Sequence, residues 1–115
     1  MSEAIVLPSV IGPGKEREVQ TLFADPWRKL VLIRLRDAAL LGDHSARVPI
    51  TIQALLGKGI LNVAGETYPL TPGMLVPVDA HVVHHVQADP ALAILVTFFR
   101  QPETEAGSET TARFE

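Results

Sequence analysis

Nowhere in this chain do apolar residues recur at i, i+3 and i+4 through three turns between capping residues, so a helical fold has no support. The sequence offers short β-branched and aliphatic runs instead, separated by glycine and proline. Strands are expected over residues 19–24, 30–36, 39–41, 50–56, 59–63, 67–70, 74–78, 82–88 and 91–99. Gly57-Lys58-Gly59, Ala64-Gly65-Glu66, Pro72-Gly73 and Asp89-Pro90 read as the turns between them. Many short antiparallel strands at this spacing imply an all-β sandwich or barrel, and a double-sheet jelly roll fits the pattern.

A chain of 115 residues is one domain. Its boundaries are expected at 1–100, followed by a polar, acidic tail over 101–115 (QPETEAGSETTARFE). With 47% hydrophobic residues the chain can build a real core. The net charge is −3 and no basic block occurs, which argues against a nucleic-acid partner. Without cysteine there is no disulfide, thiolate metal site or cysteine nucleophile. The start, MSEAIVLPSV, lacks a positively charged segment before a long apolar run, so no secretory signal is expected. No apolar stretch reaches the length of a membrane span; VLIRLRDAALL is broken by Arg34, Arg36 and Asp37. The expectation is a cytoplasmic protein with no membrane partner.

Alternation assigns the strand faces. Ile50, Ile52, Ala54 and Leu56 share one face, the interior, while Thr51, Gln53 and Leu55 share the other. His84 lies with Val82, Val86 and Ala88 and should point inward; His85 lies with Val83 and Gln87 and should point away. Residues 91–99 are apolar on both faces, which suggests a second subunit over one of them and hence a homodimer. Arg34 and Arg36 flank Leu35 and are expected on a solvated or interface face. Trp27, in Asp25-Pro26-Trp27-Arg28, is expected to close a barrel end or pack in a dimer.

The layout of residues 39 to 99 resembles the cupin superfamily, whose two histidine-bearing motifs face into a small β-barrel. Ala54-Leu55-Leu56-Gly57-Lys58-Gly59 stands on the turn that ends the first motif. Counting back, the motif's glutamate falls at Ile50, its second histidine near Ala46 and its first histidine at His44. Pro72-Gly73 opens the second motif, and its histidine is His84; Met74, Asp79 and His81 replace the family's aspartate, proline and glycine. The resemblance implies a double-stranded β-helix, or jelly-roll barrel, with a ligand pocket made by His44, Ile50, Ile52, His84 and Val86. It also implies a divalent ion (iron, manganese, nickel or zinc), for which His44 and His84 are the candidate ligands.

Such an ion wants three or four imidazole or carboxylate ligands with an open position for water or substrate. Here Ile50 puts a hydrocarbon where the carboxylate would be. A third ligand could come from His81, if the turn before His84 folds over the barrel mouth, or from Gln53 if the face assignment is reversed. The reading favoured by the sequence is therefore a single-domain small cupin that binds a small molecule in its barrel, with a degenerate metal site. One rival is a metal-dependent oxygenase, isomerase or decarboxylase acting on a small organic acid, phenol or sugar. Another is a sensor or interaction module, here without a DNA-binding helix. No Ser-His-Asp order, phosphate loop or H-E-x-x-H is present to support a hydrolase or nucleotide binder.

Overall fold

The structure, a computed structural model, describes residues 3–101; the expected tail lies, from residue 102 onward, outside them. The described residues form strands β1 (Arg17–Ala24), β2 (Arg28–Leu35), β3 (Leu40–His44), β4 (Ile50–Val63), β5 (Glu66–Leu70), β6 (Leu75–Val78) and β7 (His84–Phe99), with no helix. All pairings are antiparallel. The sheet runs β1-β2-β7-β4-β5, with β3 added to β7 and β6 to β4.

Two long strands build the molecule. The first half of β4 pairs with the last half of β7 (Ile50 with Phe98, Ile52 with Val96, Ala54 with Ile94), and its second half with the first half of β7 (Leu61 with Val86, Val63 with His84). β2 joins the late half of β7, and β3 the early half. Side chains from both halves line one cavity, so the sheet folds over on itself as a barrel.

The sequence reading broke each of these strands in two, and the structure corrects that. Gly57-Lys58-Gly59 lies within β4 and is not a turn, and Asp89-Pro90 lies within β7, on the side of the ladder that carries the extra residues. Between the pairs Gly57–Leu92 and Gly59–Ala88, Lys58 alone faces Asp89, Pro90 and Ala91, so the ladder resumes after a kink. Glycine is needed here for two reasons. Gly57 has a φ of 76°, and a Cβ on it would collide with the Ala91 carbonyl. A Cβ on Gly59 would lie 2.6 Å from the Gln87 carbonyl oxygen. A second bulge, at Leu55, turns Leu56 off the interior face where alternation had placed it.

The face assignment otherwise holds. Ile50, Ile52, Ala54, Val86 and Ala88 are buried in the core together with Leu35, Leu61, Leu70, Leu92 and Ile94. Each valine, leucine or isoleucine among them contributes about 1.5–3 kcal/mol relative to exposure, which gives the seven strands a common centre.

The N-terminal segment before β1 is held by one side chain. Arg36, buried at 8% exposure, donates from Nε to the Gly12 carbonyl (2.7 Å), from Nη1 to the Lys15 carbonyl (2.6 Å) and from Nη2 to the Ile11 carbonyl (3.1 Å). Nη1 also donates to Glu18 Oε1 at 2.7 Å. The expectation of a solvated Arg36 therefore fails, because the segment folds back over it and supplies carbonyl oxygens where water would have been. Trp27 does not close the barrel: it is 63% exposed, in a turn where Asp25 Oδ1 accepts from the Trp27 and Arg28 amides.

Candidate functional site

The cavity inside the folded sheet has a volume of about 200 Å³. Its walls are hydrocarbon: Val31 and Ile33 from β2, Ile50 and Ile52 from β4, and Val86, Ile94 and Val96 from β7. All five pocket residues expected from the sequence, His44, Ile50, Ile52, His84 and Val86, line it. The edge strands β1 and β3 also contribute, through Val19 and Thr21 on one side and Leu41 and His44 on the other. Val19 and His44 are exposed, so they form the rim. The Arg17 Nε donates to the Leu40 carbonyl at 2.8 Å and ties the two edge strands together at one end.

His44 and His84 are partners in the β3–β7 ladder, and their rings lie 6.2 Å apart between centroids at an interplanar angle of 30°. His84 is buried and His44 is exposed. The His84 Nδ1 lies 3.1 Å from the Val82 carbonyl oxygen. A carbonyl only accepts, so Nδ1 carries a hydrogen and Nε2 of the neutral ring carries a lone pair. No buried side-chain nitrogen or oxygen among the described residues lacks a partner. Nε2 therefore keeps accessible surface, and His84 lines the cavity. Burial pushes the His84 pKa below its ordinary 6.5; the Val82 carbonyl, which favours the protonated ring, opposes this, and His44 and His85 add to the lowering. His85 points the other way, as alternation requires, and pairs with Asp43 Oδ1 at 3.1 Å.

The further ligands considered from the sequence do not join the pair. His81 is exposed in the turn before β7, with a φ of 69°, and is not a lining residue. Its backbone amide donates to the Ala46 carbonyl at 2.7 Å. Gln53 faces outward between Leu75 and Leu95. Among the described residues no three His, Cys, Asp or Glu side chains come together as a metal-binding group. The donor set does not fit a divalent ion that needs three or more ligands: it offers two imidazoles, with the side chains of Ile50 and Ala46 beside them in the cavity wall.

Sequence reasoning missed the contribution of β1 and β2. Lys29 lines the cavity at the Phe98 end, its Nζ lying 5.7 Å from the centre of the Phe98 ring. The signal was present: Lys29, Val31 and Ile33 alternate with Leu30 and Leu32, and the inner face of that run could have been read as the inner face of Ile50–Ala54 was.

No protein-family model and no curated protein matches the sequence. Solved structures do share its shape. A cupin superfamily protein from Desulfitobacterium hafniense superposes with a TM-score of 0.75 at 14% identity, covering 87% of this chain and 94% of that one. An RmlC-like cupin from Shewanella frigidimarina gives 0.70 at 24% identity, covering 75% of this chain and 78% of that one. Salicylate 1,2-dioxygenase from Pseudoaminobacter salicylatoxidans, in adducts with gentisate, gives 0.69 at 18% identity, covering 80% of this chain and 26% of that one. The chain has the cupin β-barrel fold.

Proposed function

We propose that this protein binds a small molecule inside its barrel, without a metal ion to organise the site. The observation that carries this reading is the composition of the cavity wall, a mostly aliphatic surface in which His84 is the one buried polar side chain. Concave, mostly apolar pockets with few polar groups are the usual form of small-molecule sites. Among cupin-fold structures the dioxygenase shows that a barrel of this shape can serve an enzyme, but fold alone does not transfer an activity. A metal-dependent oxygenase, isomerase or decarboxylase is disfavoured by the donor count, since Ile50 is only 3% exposed and brings a hydrocarbon to the position of the family carboxylate.

The experiment is a small-molecule screen read by NMR on the uniformly labelled chain. Binding in the barrel is expected to shift the methyl signals of Val86, Ile94 and Val96 together. A screen whose hits move only surface signals would overturn the reading.

We also infer a homodimer formed through the outer face of the late half of β7. Leu75, Gln53 and Leu95 lie in one cross-strand row there, and Leu75 and Phe99 are 56% and 47% exposed.

A further inference from the structure

We propose that the occupant of the cavity is a single ring bearing one hydroxyl group, a phenol or cyclic alcohol, whose O–H donates to His84 Nε2 while the ring lies against Val31, Ile33, Ile52 and Ile94. This rests on the barrel-binding reading above and narrows it to a ligand class.

Three features of the site lead there. The first is size. An aliphatic cavity of about 150 Å³ holds benzene, and this one, about 200 Å³ and open at its rim, seats such a ring with a small substituent. The second is the number of polar groups at depth. Thr21, Lys29, His44 and Ser45 also line the cavity, but each is exposed or only partly buried; His84 is the one buried polar side chain of the wall. A sugar or other polyol would leave most of its hydroxyls against hydrocarbon, where each unpaired one costs about 1–3 kcal/mol. The third is hydrogen-bond polarity. Nδ1 is committed to the Val82 carbonyl as a donor, so Nε2 meets the ligand as an acceptor. A hydroxyl hydrogen satisfies it. A carboxylate or an ether oxygen presents only lone pairs.

The test compares phenol, toluene, methoxybenzene and benzoate, with dissociation constants taken from NMR shifts of the cavity methyls in the full chain. Phenol is expected to bind about tenfold more tightly than toluene or methoxybenzene, the measure of one hydrogen bond. His84→Phe should reduce that ratio to about one while still binding toluene, which shows that the cavity is intact. His84→Gln, which can present an oxygen acceptor, should restore part of the preference. Toluene or methoxybenzene matching phenol in the wild type would overturn the proposal, as would a preference for benzoate, and both results would leave the barrel-binding reading standing. If none of the four probes moves the cavity methyls, the proposal is overturned, while the barrel-binding reading is decided by the broader screen.

Discussion

Ile50 and His84 face one cavity from opposite ends of the same ladder, Ile50 standing across from Phe98 and His84 across from Val63. The sheet must fold over for them to meet. In the resembling family these positions belong to a glutamate and a histidine, so Ile50, together with Ala46, leaves the site with two imidazoles.

The protein purified without chelator is therefore expected to contain clearly substoichiometric iron, manganese, nickel or zinc by elemental analysis. About one metal per chain, lost in His84→Ala, would overturn the two-ligand reading. The double change Ala46→His with Ile50→Glu should raise metal content markedly, at a cost in stability of the metal-free protein of about 2–4 kcal/mol for placing a carboxyl at a buried position.

His84 should make stability pH-dependent on the acid side. Its ring has a lower pKa in the folded protein than the ordinary 6.5 that it regains on unfolding, with burial as the main cause. The unfolded chain thus takes up the proton first as pH falls. The stabilisation is fully present above about pH 6.5 and is lost as pH drops through the lowered folded value. Urea midpoints measured from pH 8 to pH 4 should show this loss, and His84→Phe should flatten it. A His84 imidazole titrating by NMR at its ordinary value would contradict a position inside the barrel.

Light scattering at micromolar concentration is expected to report a dimer. Phe99→Asp should give a monomer with an unchanged circular dichroism spectrum, because Phe99 lies at the exposed end of β7 rather than in the core. An interface of ordinary size would bury roughly 1,200–2,000 Å² in total. A wild-type protein that elutes and scatters as a monomer would remove the dimer.

Gly57→Ala tests the kink in β4. The left-handed backbone and the Ala91 carbonyl both exclude a side chain, so the change should destabilise the fold by at least about 2 kcal/mol in denaturant unfolding. Gly42→Ala is the control, since a Cβ there meets nothing within 4 Å.

Arg36→Met should release the segment before β1 without unfolding the barrel. Limited proteolysis ought then to cut between Ile11 and Lys15, where the wild type, with three carbonyls held by the guanidinium, resists. Equal resistance in both proteins would show that other contacts hold the segment.

The all-β class and the inner faces were readable because alternation survives over β-branched runs: Ile50, Ile52, His84 and Val86 fall inside as their spacing requires. Strand length was not readable. Gly57-Lys58-Gly59 and Asp89-Pro90 have the composition of turns, and only the ladder partner across each reveals a kink within a continuing strand. The burial of Arg36 was hidden for a related reason. Its partners are backbone carbonyls some two dozen positions earlier, and a carbonyl has no signature in sequence. Likewise His81 could be placed near His84 in the chain but not turned from it, since its left-handed φ is set by the turn.

β4 and β7 each cross from one wall of the barrel to the other without interruption, so the two walls share a pair of covalent spines. Parting them like a clamshell would tear the longest ladder in the molecule. The open side of the cavity lies instead at the rim formed by Val19 of β1 and His44 of β3, two strands that each lean on a single neighbour.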